Sequence, residues 1–592
     1  MTTLESPSLE PQPEAAAAPE LKRLSRRWFL GGLGGAAAAT VASGVVGGVL
    51  GGLARPAGAA PLQQLEPIEE SEEMLAARAA DPDTARRLAA FNYRMSCATY
   101  WKNQPVVHHL NNGDEARYPS RIGNYSKALP HNAFGEVDPA AYKSLLDAVA
   151  SGKPADYDDI IIGGPMKLTN PQNGLAFDLQ GSDSHARGVP PPPPIASAEM
   201  GSEGVENYWM AMLRDVNFRD YPTHPDVVAA CADLNRFGAD FKGPKINGKV
   251  TPKTLFRDPL PGCLNGPYIS QFMYLSTPFG AEYVERKLKT VHPDTDHLTD
   301  YDNWLATQNG FLVESFAGQL DPQRRYVRNG RDIAMWVHLD VLFQAYFNAC
   351  LILIALPNDD VTASGLGCTL NPGNPYLNNV NQASFGTFGA PAIKGSMCEV
   401  ATRALKTTWH KKWQVNRRLR PEEWGGLVHN QKVHNRYPGL LDARQLSSPV
   451  LDRVHAKFGS YLMPMAFPEG CPTHPSYTAG HATVAGACVT ILKALFDENF
   501  RILNPVVPAD DGLSLEPYFG APLTVGGELN KLASNISTGR NIAGVHWRSD
   551  ARESMKLGET IALDILRDQK SCYNEIFKGF SFTKFDGTKV TA

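Results

Sequence analysis

Three short stretches of this 592-residue chain carry residues whose types and spacing could hold an oxyanion. In the last of them His546 and Asp550 stand four apart. On a helix they share one face, so the carboxylate can accept from one ring nitrogen while the other points outward. Arg540 lies six residues before His546, off that face, and a turn near Ala543-Gly544 would fold it alongside the imidazole. In the middle stretch Tyr477-Thr478-Ala479-Gly480-His481 runs into ATVAGACVTILKALF, a small and apolar run without a breaker. It predicts a buried helix starting near Thr478 as N-cap. A helix N-terminus presents free N–H groups and partial positive charge, and Gly480 lets an anion approach the backbone, so His481 sits beside an anion site. In the first stretch, KWQVNRRLRPEEW at 412–424, Lys412 and Arg420 are eight apart. Pro421 predicts that the helix carrying Lys412 ends at Arg420, which lets both cations converge on one point. Arg417 and Arg418 are expected to face solvent. Taken singly, the last stretch reads equally well as a solvated His–Asp pair, while the middle and first read better as a core histidine at a helix start and a solvated charge run.

Their order and content together are more specific. A lysine and an arginine before Pro, a Gly-His at a helix start, then Arg, five residues, His, three residues and Asp resemble the vanadium-dependent haloperoxidase and type 2 acid phosphatase superfamily. The Lys412–Arg420 spacing and the wording KWQV, RPE and THPSY resemble the bromoperoxidases of red-alga type. The likeness also takes in GPYISQF at 266–272 and HLDVLFQAYFNA at 338–349, so it runs from about residue 90 onward. It implies a mainly α fold of helical bundles and a vanadate cofactor. His546 would be the axial metal ligand, with Asp550 holding its other nitrogen. Lys412, Arg420 and Arg540 would neutralise the equatorial oxygens, the Gly480 amide would bind another, and His481 would be the acid–base group beside the peroxide. In the family the metal oxyanion takes up hydrogen peroxide and passes an oxygen to halide, releasing hypohalous acid to small organic acceptors. The chain departs from the pattern at Ala479, where the family usually has Ser. A hydrogen bond to a charged partner is worth roughly 1.5–3 kcal/mol, so cofactor affinity is at stake. Ser476 and Thr478 are the neighbouring hydroxyls that could compensate.

Two other classes use the same residues. An acid phosphatase would employ His546 as nucleophile and form a phosphohistidine. A non-catalytic oxyanion binder would be consistent with Ala479. Within the haloperoxidase reading, bromide and iodide are expected ahead of chloride. His474 stands where algal bromoperoxidases carry histidine and fungal chloroperoxidases phenylalanine, a polar wall able to titrate near neutral pH.

The rest of the chain must position these groups. Residues 1–20 are rich in Pro, Ala and Glu, and Ser25-Arg26-Arg27-Trp28-Phe29-Leu30 then opens a Gly/Ala/Val run closed by Ala57-Gly58-Ala59. This reads as a twin-arginine export signal over 1–59, giving a periplasmic or secreted protein. Its removal takes five basic and four acidic groups and moves the net charge from −4 to about −5. A mildly acidic chain without a basic stretch argues against nucleic acid, and no later run of 18 apolar residues suggests a membrane span. The hydrophobic content of 43% suits a sizeable core, and a homo-oligomer is expected. Nine cysteines without CxxC spacing leave at least one thiol free or intermolecular. A polyproline run at 190–194 reads as a stiff connector. Helical patterns cover 66–95, 201–216, 225–236, 267–290 and a strongly apolar 332–356, and resume near Met397 to carry Lys412. No βαβ alternation occurs. The expected organisation is an N-terminal helical region at 60–309 and a catalytic bundle at 310–592.

Overall fold

The computed structural model describes Ala76, residues 81–355 and residues 370–592. The expected export signal, the start of the 66–95 stretch and Cys368 lie outside these residues. The first described helix, α1 (Pro82–Lys102), is capped by Asp81, which accepts from the Asp83 amide, and carries Pro82 at its first turn. It runs beyond residue 95. None of its residues is buried, and Phe91, Tyr93 and Met95 are exposed. Next come α2 (Pro139–Ser151) and the almost wholly buried α3 (Ala198–Met212).

Two expectations fail in the middle of the chain. The apolar 332–356 run forms two helices, α4 (Gly330–Leu339) and α5 (Gln344–Ile354), bent 94° apart. The break falls at Asp340, whose extended backbone ends α4. The 267–290 stretch holds only one 3-10 turn and the antiparallel pair β1 (Thr277–Phe279) and β2 (Glu282–Val284). Pro278 and the left-handed Gly280 impose a turn where hydrophobic spacing alone had suggested a helix.

The catalytic stretches sit on α6 (Ala390–His410), α7 (Pro421–His434), α8 (Gly480–Leu495), α9 (Val525–Ile542) and α10 (Arg548–Cys572). The hub is α8, which packs against α6, α9 and α10. Small residues make this possible: a Cβ on Gly486 would lie 2.0 Å from the Met555 carbonyl oxygen, and one on Gly558 2.0 Å from that of Thr483. The α8 and α10 backbones therefore touch. A smaller core of Leu129, Tyr142, Leu145 and Trp413 joins α2 to the segment following α6. Two further short hairpins, Val506–Pro508 with Leu515–Pro517 and Ser581–Thr583 with Lys589–Thr591, complete the strands among the described residues. The molecule is mainly α, as expected. Among the described residues no single helix is long and apolar enough to cross a membrane, and all eight cysteines are free.

Candidate active site

The groups singled out in the three stretches meet around the His546 ring. His546 is not on a helix; it precedes Trp547, the N-cap of α10, so the expected shared helical face is replaced by a capping arrangement. Asp550, in the first turn, accepts from the Trp547 amide at 3.2 Å and from His546 Nδ1 at 2.9 Å. The same oxygen also accepts from the Ser476 hydroxyl, and the other oxygen takes Arg418 Nη1 at 2.6 Å. This fixes the tautomer. With Nδ1 donating to Asp550, Nε2 keeps its lone pair, and Arg420 Nη1 donates to it at 3.1 Å.

Arg540 reaches the same place through the expected turn. Ala543 caps α9, Gly544 takes φ +83°, and the Val545 amide returns to the Arg540 carbonyl at 3.1 Å. Lys412 lies on a π-helical turn at Lys411–Asn416 that continues α6 and stops at the left-handed Arg417. Arg420 therefore does not end that helix; it is the N-cap of α7, with Pro421 at the first helical position. The side chain of Glu423 accepts from the Arg420 amide at 2.7 Å and pins the start of α7.

The buried cations are held by carbonyls. Lys412 Nζ donates to the carbonyls of Pro475 and Ser476, and Arg420 to those of His474 at 2.9 Å and Val545 at 2.6 Å. Arg540 donates to the Val337 carbonyl at 2.8 Å while its buried Nε has no partner. Among the described residues no carboxylate pairs with any of the three. Burial, and then the Arg420 charge, push the Lys412 amine well below its ordinary range; burial pushes Arg540 down to about 10. His546 is likewise held well below its usual value, by burial first and then by Arg420, Lys412, Arg540 and His481. Arg420, Lys412, Arg540 and His481 thus all act electrostatically on one ring.

The α8 helix begins at Gly480 with Ala479 as N-cap, one residue later than expected. Ala479 cannot cap with its side chain, and its amide instead donates to Ser554 Oγ at 2.8 Å. A Cβ on Gly480 would sit 3.3 Å from the Trp409 ring, so glycine keeps this approach open. The first amides of α8 lack intrahelical acceptors, which leaves a positive end facing His481. His481 Nε2 bonds Asp340 at 3.0 Å, at the break between α4 and α5. Of the two candidate replacement hydroxyls, Ser476 is committed to Asp550, whereas Thr478 Oγ1 is buried without a partner among the described residues.

Two expectations are corrected. Arg417 and Arg418 do not face solvent: Arg417 forks onto Glu115 at 2.7 and 2.6 Å, and Arg418 is buried between Asp550 and Glu203. An R-R-L-R run carries no periodicity that separates inward from outward residues once a π turn intervenes. His474 does not titrate near neutral pH, because burial and then Lys412 and Arg420 hold it well below the usual histidine value. Its Nδ1 accepts from Arg420 at 2.8 Å and its ring lies 4.7 Å from that of Trp409. The residues missed by sequence reasoning are Arg418, Asp340, Ser554 and Trp409, each acting on a predicted residue from a distant element.

The fold and site define a helical-bundle protein with a buried, cation-rich pocket. Residues 401–575 match the VCPO second helical-bundle domain. The chain is 33% identical over 604 residues to the vanadium-dependent bromoperoxidase of Corallina pilulifera, covering 86% of this chain and 99% of that one. It is 34% identical over 534 residues to that of Ascophyllum nodosum, covering 86% and 93%. The homohexameric structure of the second vanadate-dependent bromoperoxidase from Ascophyllum nodosum superposes with TM-score 0.79 at 31% identity, covering 91% of this chain and 94% of that one. The chain belongs to the vanadium-dependent bromoperoxidase family and is an enzyme of the haloperoxidase type.

Proposed function

We propose that this enzyme uses vanadate and hydrogen peroxide to oxidise halide, bromide and iodide ahead of chloride, by the net reaction H2O2 + Br− + H+ → HOBr + H2O. The peroxide O–O bond breaks, a Br–O bond forms, and bromide gives two electrons to the peroxide oxygens. The observation that carries the reading is the set of three buried cations, without carboxylate partners among the described residues, gathered near His546 Nε2, whose lone pair faces Arg420. Burying such charge costs several kcal/mol per ion, and a bound oxyanion offsets it. The donor set fits vanadate: one imidazole nitrogen as metal ligand, Lys412, Arg420 and Arg540 on its oxygens, and the Gly480 amide at a helix N-terminus. When bound, the oxyanion supplies Lewis acidity that polarises peroxide toward attack by halide.

The protein residues do the rest. Asp550, anchored by Arg418 and Ser476, keeps Nδ1 of His546 protonated and Nε2 available. His481, oriented by Asp340, takes and returns the proton of the net reaction at Nδ1, which has no hydrogen bond among the described residues. His474, neutral and with its ring tilted against that of Trp409, forms a polar wall for halide. Small organic acceptors react with the hypohalous acid. The test is reconstitution: vanadate-free protein should gain bromide-oxidising activity in proportion to added orthovanadate, and phosphate should compete. Robust phosphatase turnover with no recovery of halide oxidation would replace this reading with the phosphatase one.

We further infer self-association, supported by the surface of α1, which exposes Phe91, Tyr93 and Met95. Light scattering on the purified protein should give a multimer, and a monomer would refute it. Export by the twin-arginine route remains the reading of residues 1–59, tested by replacing Arg26 and Arg27 with Lys and following the protein's compartment.

A further inference from the structure

A second cavity, of about 670 Å3, lies away from the oxyanion pocket and shares none of its residues. That volume is in the range of small-molecule sites. Its wall combines two features. Phe218 and Tyr268 stack with ring centroids 3.9 Å apart and planes 7° apart, and Tyr221 meets both edge-on, so one side is a continuous aromatic surface. The charges on the lining are one-sided: Arg219, Lys253, Arg257 and Arg328 contribute to it, and no Asp or Glu does.

These cations differ in how they are satisfied. Arg219 pairs with Glu516 at 3.1 Å and Arg328 with Asp332 at 2.8 Å. Arg257 and Lys253 have no carboxylate partner among the described residues. Arg257 is only 7% exposed, its Nη2 donates to the Pro267 carbonyl at 2.7 Å, and its guanidinium lies 5.2 Å from the Tyr268 ring centroid. Its Nε and Nη1 make no hydrogen bond among the described residues. Its own carbonyl accepts from Arg548 Nη1 at 3.0 Å, which fixes the backbone that presents it. A buried guanidinium held in place on an aromatic wall, with donors left over and no carboxylate within ion-pair distance among the described residues, can receive a planar anion.

We propose that this cavity binds a small aromatic carboxylate, its ring on the Phe218–Tyr268 wall and its carboxylate on Arg257 and Lys253. The site is independent of the oxyanion pocket, so it stands or falls separately from the catalytic reading.

The test is isothermal titration of the full-length protein, first saturated with orthovanadate so that the oxyanion pocket is taken. The probes are benzoate, benzamide and acetate. Benzoate is expected to bind with a dissociation constant of about 1 mM or tighter. Benzamide, lacking the charge, and acetate, lacking the ring, should each bind at least about fivefold more weakly. Arg257→Gln should weaken benzoate by about tenfold or more, and the exposed Lys253→Ala by about threefold. Circular dichroism reports whether the Arg257 variant folds; if it does not, the Lys253 variant and the probe series decide alone. Absence of benzoate binding, equal binding of benzoate and benzamide, or wild-type affinity in the folded variants overturns the proposal.

Discussion

Two sets of buried cations in this molecule are treated in opposite ways. Behind the candidate site, Arg418 meets Asp550 and Glu203, and Arg548 meets Glu206 and Asp258. There burial is compensated within the fold, and the pairs raise the Arg418 and Arg548 guanidinium values above the usual one. In the pocket, Lys412, Arg420 and Arg540 hydrogen-bond only to carbonyls and imidazoles among the described residues, and Lys412 and Arg540 are pushed down. The first arrangement is complete without a ligand; the second is balanced only by an anion. Charge left unpaired in a well-packed interior therefore marks where function has been placed at the expense of stability.

The largest expected effect falls on the acceptor of the pocket. His546→Ala removes the one proposed metal ligand and should abolish halide oxidation at every vanadate concentration; full activity in that variant would remove the assignment. Next come substitutions that separate the two kinds of cation. Arg418→Met leaves Asp550 and Glu203 buried and unpaired, and should cost about 3–5 kcal/mol of folding stability in urea titrations. Lys412→Met removes an uncompensated charge, so the vanadate-free protein should lose little or no stability, while vanadate affinity falls about 10- to 100-fold. If both variants lose stability alike, the distinction fails.

A smaller effect separates burial from neighbouring charge. His131 is lowered to about 4 by burial, with no cation among the causes, unlike His546. The unfolded chain takes up this proton near the ordinary histidine value while the folded chain does not. Stability from this group is therefore complete above about pH 6.5 and declines as pH falls toward 4. His131→Gln should flatten that part of the stability–pH curve, and an unchanged slope would count against it. The smallest effect concerns the N-cap of α8. Ala479→Ser should tighten vanadate by about 1 kcal/mol, or several-fold, unless the unpartnered Thr478 hydroxyl already serves. An unchanged constant in a vanadate titration of the vanadate-free serine variant would assign that role to Thr478.

Much of the pocket was legible because its residues lie in three short stretches with informative spacing. His546 with Asp550, Arg540 across a glycine turn, and the Gly480-His481 helix start all needed only local rules. What supports them was not. Arg418 binds partners 132 and 215 residues away, and Asp340 reaches His481 across 141. No local pattern encodes such pairings. The π turn after α6 also reversed the expected direction of Arg418, since it adds a residue that helical periodicity does not count. At the level of fold, the mainly α class followed from apolar periodicity. The bend at Asp340 and the hairpin after Pro278 did not, because an apolar run records burial and not direction.

The most direct test of unpaired charge as an oxyanion site is the unfolding midpoint of vanadate-free protein with and without orthovanadate, in wild type, Lys412→Met and Arg418→Met. A ligand bound only by the folded state stabilises it by RT ln(1 + [L]/Kd), about 2.7 kcal/mol at a hundredfold excess over Kd. Orthovanadate should raise the midpoint of wild type and, from a lower baseline, of Arg418→Met, and should stabilise Lys412→Met by only about 0.4–1.4 kcal/mol at the same concentration. An equal rise in Lys412→Met, or none in wild type, would contradict the account.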